Sequence, residues 1–375
     1  MKCNDLWEIF LKENITFFTG VPDSTFKHWM NFLDYKGGDG LTNVIASNEC
    51  EAIAIASGYY LATQEIGVVY MQNAGLGKAV NPLASLTDPE VYSIPILLMI
   101  GWRGEPSLKD EPQHKKMGRI TLSLLDVLEI PYDILPKDRK KAEEIIRKAK
   151  NYAQKNNAQY ALIIRKKTIE SFPSVKLEEE IYKMSREEVI EVIINNVSPD
   201  TVIISTTGKT SRELFELRIN RREKPSDFYT VGSMGCAAAI AFGIAENTIK
   251  DTLILDGDGS ALMQMGTLAT IGHYKPSNLY HIIFNNRSHE STGGQPTVSE
   301  TVDFEKVALS CGYRTAHTID SRDELIFFLS QLEEKECPCL IVVNIRKGSR
   351  ENLGRPTATP QENKESFMKL IKDEN

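Results

Sequence analysis

The sequence predicts an α/β protein built from two doubly wound, parallel-sheet domains. Its 375 residues fit two domains of ordinary size. Short apolar runs rich in Val, Ile and Phe alternate with amphipathic stretches, as expected for parallel strands that helices cover on both faces. The alternation stops over residues 171–184, and Ser185 and Glu188 then show the pattern of a helix capping box. The sequence therefore predicts one domain over residues 1–170, a linker over 171–184 and a second domain over 185–375.

Apolar runs place the strands in both halves of the chain. In the first half we expect strands at residues 15–19, 43–46, 67–71, 94–100 and 160–165, with a charged amphipathic helix at 137–155 before the last of them. In the second half we expect strands at residues 201–205, 251–256, 280–284 and 340–345. Such sheets bind ligands at the carboxyl ends of their strands, so the residues that follow the strands are the candidates for function.

The composition argues against several classes of protein. Acidic residues number 51 against 44 Lys and Arg, a net charge of −7 that disfavours binding to a nucleic-acid backbone. No apolar run approaches the roughly 20 residues of a membrane-spanning helix, and the charged start of the chain lacks a signal peptide. The six cysteines are scattered, and the single residue between Cys337 and Cys339 is not a usual zinc spacing. A cytoplasmic protein with reduced thiols is expected.

The strongest local motif is Gly257-Asp258-Gly259-Ser260, which follows a buried strand and precedes a helix expected to begin near Leu262. The glycines allow a phosphate to approach the backbone, and the start of the helix offers unpaired N–H groups. The aspartate suggests Mg²⁺, which usually takes one or two protein ligands and phosphate oxygens. Taken alone, the motif also fits an ordinary glycine-rich turn with a capping aspartate.

The next strand strengthens the cofactor interpretation because it ends at Asn285-Asn286, 28 residues (286 − 258) after Asp258. One helix and one strand fit in that interval, so both side chains should emerge at the same sheet edge. This succession resembles the diphosphate-binding domain of thiamin-diphosphate enzymes. The resemblance implies that Asp258 and the Asn286 side chain bind Mg²⁺, with the backbone carbonyl of Ser288 as a third ligand, and that Gly257, Gly259 and Ser260 bind the cofactor.

Two further segments of the second half resemble cofactor-binding segments of that family. Thr206-Thr207-Gly208-Lys209-Thr210 ends like a P-loop, but Ile203 stands where a P-loop needs glycine. The resemblance instead implies that Thr206 or Thr207 contacts the diphosphate, although an ordinary hydroxyl-bonded turn fits equally well. Gly232-Ser233-Met234-Gly235 resembles the segment that holds the cofactor bent, with Met234 between its two rings.

The first half resembles the pyrimidine-binding domain of the same enzymes. There a carboxylate binds the pyrimidine nitrogen and promotes the imino tautomer that accepts the thiazolium C2 proton. Glu49 occupies this position, after an expected strand and before a run of small residues at 52–62. Glu51 is the alternative, but it stands where the family often has glycine, and a first-turn acid also stabilises a helix dipole. The segment 72–83 resembles the family's glycine loop after the third strand.

The resemblance extends from Gly20-Val21-Pro22-Asp23-Ser24 to Gly293-Gly294-Gln295-Pro296-Thr297, without room for the third domain of larger relatives. It implies a two-domain decarboxylase of a 2-oxo acid that carries a phosphonate or, as the runner-up, a sulfonate; other 2-oxo acids remain open. Asp23, with Ser24 as its alternative, and His114 occupy loops where related decarboxylases keep proton-handling groups. Pyruvate-type decarboxylases carry glutamate where this chain has Thr292, and neighbouring His289 and Glu290 are candidate substitutes.

An anionic substrate needs a cation, and Arg103 is the first candidate because it follows the 94–100 strand and can grip phosphonate oxygens in a bidentate manner. Lys78, Lys209 and Arg287 are alternatives. The resemblance also implies self-association, with each site formed between the pyrimidine domain of one chain and the diphosphate domain of another. Glu49 argues against a non-catalytic cofactor-binding protein, and the missing Walker or Rossmann loop argues against a plain nucleotide-binding protein.

Overall fold

The computed structural model describes residues 1–38, 40–173, 181–332 and 336–372. The chain divides into two compact units: Met1–Leu177 together with Thr292–Pro296, and Glu178–Ser291 together with Thr297–Asn375. Of the predicted linker at 171–184, residues 174–180 lie outside the described residues. Among the described residues, no helix combines the length and apolar character needed to span a membrane.

The first unit contains a six-stranded parallel sheet in the order β2-β1-β3-β4-β6-β5. Its strands are β1 (Phe17–Gly20), β2 (Thr42–Ile45), β3 (Val68–Gln72), β4 (Leu97–Gly101), β5 (Tyr132–Ile134) and β6 (Tyr160–Ile164). Its helices are α1 (Cys3–Lys12), α2 (Lys27–Lys36), α3 (Glu49–Thr63), α4 (Leu76–Ser85), α5 (Pro112–Val127) and α6 (Arg139–Asn156), with 3₁₀ turns at Ser24–Phe26 and Asn73–Gly75.

This order reverses the direction of winding between β1 and β3, and ligands of open α/β sheets bind at such a switch point. The central strands β1, β4 and β6 are buried along their whole length, and apolar clusters cover both faces of the sheet. The rigid sheet therefore fixes the loops that leave the carboxyl ends of β1 to β4.

The second unit contains another six-stranded parallel sheet, in the order β13-β14-β10-β9-β7-β8. Its strands are β7 (Val202–Ser205), β8 (Phe228–Tyr229), β9 (Thr252–Gly257), β10 (Leu279–Asn285), β13 (Thr315–Ile319) and β14 (Cys339–Asn344), and the short strands β11 (Ser288–His289) and β12 (Gln295–Pro296, assigned to the first unit) lie outside this sheet.

The helices of the second unit are α7 (Arg186–Asn196), α8 (Lys209–Asn220), α9 (Ala237–Ala245), α10 (Asp258–Met263), α11 (Gly266–Tyr274), α12 (Phe304–Cys311), α13 (Arg322–Ser330) and α14 (Pro360–Lys372), with a 3₁₀ turn at Val298–Glu300. The predicted capping box is present at the start of α7, where the side chains of Ser185 and Glu188 each bond the other's backbone N–H.

The prediction of two doubly wound parallel sheets is confirmed, whereas several element boundaries differ. The strand expected at residues 94–100 begins only at Leu97, since Pro95 cannot donate to a ladder. The helix expected near Leu262 begins at Asp258, because the Gly-Asp-Gly-Ser turn is itself the first turn of α10. The strands β5, β8 and β13 were not predicted.

Candidate active site

Glu49 is the first residue of α3, which follows β2 after a short loop, and it is 6% exposed. Its Oε2 atom has no hydrogen-bond partner within the described part of the chain. Burial raises the pKa of Glu49 above its ordinary value, and the Lys78 ammonium acts in the opposite direction. Gly75 lies against the carboxylate so closely that a Cβ there would overlap it. A buried acid with an unbonded oxygen is thus presented where β2 ends.

Glu51 has a different environment from Glu49. It is exposed, and its Oε2 accepts a hydrogen bond from the backbone N–H of Ser47 at 2.9 Å and another from the Ser47 hydroxyl. Its own N–H donates to the side chain of Asn48, the N-cap residue of α3. Glu51 therefore closes the first turn of the helix, as expected of a capping acid.

Asp23 is fully buried in the loop that follows β1. Its Oδ1 accepts a hydrogen bond from Gln72 Nε2 at 2.5 Å, and its Oδ2 accepts one from the backbone N–H of Thr25 at 2.9 Å. Gly101, at the end of β4, is required beside it because a Cβ there would overlap the Asp23 carboxylate. The ends of β1, β3 and β4 therefore meet around this carboxylate.

Arg103, two residues beyond β4, is already bound to a carboxylate. Its Nε and Nη2 donate to the two oxygens of Asp110 at 2.8 and 2.5 Å, and its Nη1 donates to Ser24 Oγ at 2.9 Å. The guanidinium lowers the pKa of Asp110 to about 2. Within the described residues, three of the five guanidinium N–H donors are thus committed, and two remain for a ligand.

His114 lies in the first turn of α5, close to the same groups. Burial, reinforced by the Arg103 cation, lowers the pKa of His114, while the carboxylates of Asp110 and Asp23 act in the opposite direction. Its Nδ1 is buried and has no hydrogen-bond partner among the described residues. The structure therefore brings together the four predicted residues of the first unit's loops, Asp23, Ser24, Arg103 and His114; we call them the loop cluster.

In the second unit, Asp258 and Asn286 emerge from neighbouring strands. The register pairs Gly257 of β9 with Phe284 of β10, so both residues lie just beyond the same sheet edge. Asp258 is 3% exposed, and its Oδ2 accepts hydrogen bonds from Thr297 Oγ1 at 2.6 Å and Ser299 Oγ at 2.9 Å. Burial raises the pKa of Asp258, and these two hydroxyls act against that effect.

Asn286 has a defined amide orientation. Its Oδ1 accepts a hydrogen bond from the backbone N–H of Ser288 at 3.0 Å, and its Nδ2 donates to Glu290 Oε2 at 3.0 Å. The ring of His289 lies over Gly259, where a Cβ would crowd it, and burial lowers the pKa of His289 to about 4.

The remaining predicted cofactor residues lie on loops of the second unit that are bonded to one another. Thr206 Oγ1 and Ser260 Oγ are 2.9 Å apart, and the Ser260 oxygen also accepts the N–H of Gly235 at 3.1 Å. Thr207 Oγ1 accepts the N–H of Gly232 at 3.0 Å. Met234 lies in the same turn, between two glycines at φ +73° and +89° (Gly232 and Gly235). Residues other than glycine rarely adopt this backbone conformation.

Comparison with known proteins gives the family. The family model "Thiamine pyrophosphate enzyme, N-terminal TPP binding domain" matches residues 3–123, and the corresponding C-terminal TPP binding domain matches residues 206–343. The chain is 34% identical to a phosphonopyruvate decarboxylase of Streptomyces viridochromogenes, over 95% of this chain and 91% of that protein. The chain belongs to the thiamine pyrophosphate enzyme family. The predicted cofactor, thiamin diphosphate (thiamine pyrophosphate), is confirmed at the level of the family.

Two further relatives bear on the substrate within the family. A phosphonopyruvate decarboxylase of Streptomyces hygroscopicus is 36% identical over 93% of this chain and 88% of that protein. A sulfopyruvate decarboxylase of Methanosarcina acetivorans is 25% identical over 87% of each chain. Over a comparable length, the chain is thus more similar to these two phosphonopyruvate decarboxylases than to this sulfopyruvate decarboxylase.

The hydrogen-bonding and metal-ligand atoms of these residues suit the family's cofactor. The unbonded Glu49 oxygen is the acceptor that a protonated or N–H-bearing pyrimidine nitrogen requires. Around Asp258 and Asn286 the donors are oxygens, which Mg²⁺ prefers. Among the described residues, no group of three or more His, Cys, Asp or Glu side chains could hold a metal, so a metal there would complete its coordination with amide, carbonyl and cofactor oxygens.

Several residues of these regions could not be recognised in the sequence. Gln72 and Asp110 bind Asp23 and Arg103, respectively, and Thr297 and Ser299 bind Asp258. Gln72 and Thr297 lie in segments covered by the resemblance (72–83 and 293–297), but nothing in the sequence indicated these contacts. Glu290, a candidate substitute for the missing glutamate, is bound by several donors instead (Arg186, Lys209 and Asn286). Although burial opposes ionisation of Glu290, the two cations outweigh it and lower its pKa.

The other cationic side chains predicted as candidates for binding the substrate also interact with neighbouring residues. Lys209 Nζ donates to Glu290 at 2.6 Å. Arg287 Nη2 donates to the Tyr182 hydroxyl at 2.6 Å, and its guanidinium lies 5.1 Å from the centre of that ring. Lys78 interacts electrostatically with Glu49.

Proposed function

We propose that this enzyme decarboxylates 3-phosphonopyruvate to phosphonoacetaldehyde and CO₂ with thiamin diphosphate and Mg²⁺, a step of phosphonate biosynthesis. Family membership and the higher similarity to two phosphonopyruvate decarboxylases support this proposal. The observation that carries the catalytic part is the buried Glu49 with its unbonded Oε2. A purely structural carboxylate would be paired, because an unsatisfied buried acid is costly.

The second unit would hold the diphosphate and the metal. Asp258, the Asn286 side chain and the Ser288 carbonyl would bind Mg²⁺, while the hydroxyls and glycines of the nearby turns would contact the diphosphate (Thr206, Thr207, Gly257, Gly259 and Ser260). Gly232 and Met234 would support the bent cofactor. The bound cofactor supplies the electron sink for the electrons left when CO₂ departs.

The loop cluster would bind the substrate and handle protons. Arg103 has two uncommitted N–H donors for an anionic oxygen, and Ser24 is fixed beside it by the Nη1 bond. Asp23 and His114 would exchange protons with the reacting carbon. Of the two, His114 has the unbonded ring nitrogen that such a role needs.

The direct test uses the purified chain with three substrates at saturating thiamin diphosphate and Mg²⁺. We expect CO₂ release with phosphonopyruvate, a lower kcat/KM with sulfopyruvate, and a kcat/KM with pyruvate lower by roughly 10⁴–10⁵, because pyruvate leaves the phosphonate donors unpaired. A preference for sulfopyruvate would select the runner-up. Cofactor binding without CO₂ from any of the three would refute the decarboxylase.

We also propose that the chain self-associates and that each active site takes its pyrimidine half from one copy and its diphosphate half from another, as the family resemblance implies. The test mixes Glu49→Gln and Asp258→Ala chains, each inactive alone. If sites form between two chains, a randomly mixed dimer population regains about one quarter of wild-type activity, since half the dimers are mixed and each mixed dimer has one intact site. No recovery after demonstrated exchange of subunits would place both halves in one chain.

A further inference from the structure

A buried ionic network lies behind Asn286 in the second unit, and none of the cofactor-binding roles above uses it. Arg186, the first residue of α7, is 6% exposed, and Glu213 on α8 is 1% exposed. The Arg186 Nε and Nη2 atoms donate to the two oxygens of Glu213 at 2.7 and 2.8 Å. Its Nη1 donates to Glu290 Oε2 at 3.0 Å. The paired Glu213 thus holds the guanidinium in the plane from which it reaches Glu290.

Glu290 is the point where this network meets the loop after β10. Its Oε1 accepts from Lys209 Nζ at 2.6 Å, and its Oε2 accepts from both Arg186 Nη1 and Asn286 Nδ2. Two cations and two carboxylates balance, so the charges are compensated although the cluster is largely buried. Both oxygens of Glu290 are occupied, so it is poorly placed to exchange a proton with substrate.

The consequence for Asn286 follows from donor and acceptor chemistry. An ionised carboxylate only accepts hydrogen bonds, so it binds the Nδ2 end of the amide and rejects the Oδ1 end. The Oδ1 end is thereby turned to the other side, where it accepts from Ser288 N at 3.0 Å. A carbonyl oxygen has a second lone pair, which is free to take a cation.

We propose that Glu290, held by Arg186 and Lys209, is a positioning residue that fixes the Asn286 amide with its oxygen towards Mg²⁺. This inference rests on the proposed function through one assignment, Asn286 as a metal ligand. It gives the buried Arg186–Glu213 pair a role besides stability, to which such pairs contribute little compared with apolar packing. It also gives Glu290 a function that does not require contact with substrate.

The test measures the apparent Mg²⁺ affinity of the full-length protein at fixed thiamin diphosphate, followed by calorimetry or tryptophan fluorescence. Glu290→Gln keeps the size of the side chain but removes its charge, and its amide can present either end to Asn286. We expect the apparent Kd for Mg²⁺ to rise about 10- to 100-fold, the range found when groups that orient metal ligands are removed. Activity should return at saturating Mg²⁺. Arg186→Lys, which loses the fork but keeps the charge, should show a smaller shift in the same direction.

The matched control is Glu187→Gln, the same change on the residue next to Arg186 in α7. The Glu187 carboxylate accepts from Arg350 Nε at 3.0 Å, and it makes no hydrogen bond with Asn286 in the part of the chain that the structure describes. A shift in Mg²⁺ affinity as large as that of Glu290→Gln would assign the effect to general destabilisation and overturn the proposal.

A second variant separates positioning from structural support. In an Asn286→Asp background, Glu290 faces another carboxylate and should repel it, so Glu290→Gln should tighten Mg²⁺ binding there instead of weakening it. Loss of affinity in both backgrounds would contradict the proposal. If the wild-type chain itself showed no Mg²⁺-dependent cofactor binding, the proposed function would fail first; normal wild-type binding with an unaffected Glu290→Gln variant would refute this inference alone.

Discussion

Glu49 of the first unit and the buried carboxylates around the proposed metal site of the second unit differ in their hydrogen bonding. In the first unit, Glu49 keeps an unbonded oxygen among the described residues. In the second, Asp258 accepts two hydroxyl hydrogen bonds, and Glu213 and Glu290 are each paired with cations. The first arrangement leaves a group able to change its hydrogen bonds and protonation. The second holds its carboxylates in fixed positions, which suits the metal diphosphate that we propose for this unit.

The largest expected effect comes from substituting Asp258 at the proposed metal site of the second unit. Asp258→Ala should abolish Mg²⁺-dependent binding of thiamin diphosphate, because the only proposed anionic metal ligand is lost and the diphosphate charge is left uncompensated. Asp258→Asn, which still accepts the hydrogen bonds of Thr297 and Ser299, should fold and show the same loss. Calorimetric titration with and without Mg²⁺ measures it, with exposed Asp200→Ala as the control. Wild-type affinity in either Asp258 variant would refute the metal assignment.

The next largest effect comes from substituting Glu49 in the first unit, which leaves the proposed metal site of the second unit unchanged. Glu49→Gln should leave the cofactor bound but slow C2-proton exchange and kcat by about 10²–10⁴-fold, the usual contribution of a positioned acid–base group. Exchange measured by NMR on bound cofactor gives the result. An unchanged exchange rate would transfer the role away from Glu49.

The same variant should be more stable than the wild type near neutral pH. A raised pKa means that the folded protein holds the Glu49 proton more tightly than the unfolded chain, so stability falls as pH rises from 4.5 through the folded pKa. Glutamine removes this loss, and the gain should vanish at acid pH. Glu51→Gln is the matched control and should be destabilising, because it weakens the bonds to Ser47. Thermal melts of the apoprotein at several pH values compare them, and a less stable Glu49→Gln at neutral pH would contradict the argument.

The contrast between the regions also shows which features of the fold and the site could be predicted from the sequence. Glu49, Asp258 and Asn286 could be predicted as site residues because each follows a strand within a local motif. The pairing of Arg186 with Glu213, 27 residues apart, and the pairing of Arg103 with Asp110 depend on how helices and loops pack, which no periodicity records. The strands β5 and β13 were missed for a related reason: they lie near or at sheet edges, and their residues are only partly buried, so they lack a continuous apolar run.

A smaller effect concerns substrate choice in the loop cluster. Arg103→Ala should lower kcat/KM for phosphonopyruvate by roughly 10²-fold more than for pyruvate, because it removes the charged donors for the phosphonate. The structure adds that this change also leaves Asp110 unpaired, so Arg103→Ala/Asp110→Asn is the cleaner variant. Arg119→Ala, an exposed arginine of α5, is the control. An equal loss of kcat/KM for both substrates in steady-state kinetics would show that Arg103 supports the loop and does not bind the phosphonate.

The smallest effect is a shift in pH dependence, and it tests whether the loop cluster acts as one electrostatic unit. Burial and then Arg103 lower the pKa of His114, whereas Asp110 raises it. The neutral ring should therefore persist below pH 6.5, with the acid limb of kcat/KM on the acid side of that value. Removing the cation in Arg103→Ala should move the limb to higher pH, and removing the carboxylate in Asp110→Asn should move it to lower pH. Histidine NMR titration identifies the group, and shifts of the same sign in both variants would show that His114 responds to loop distortion and not to these charges.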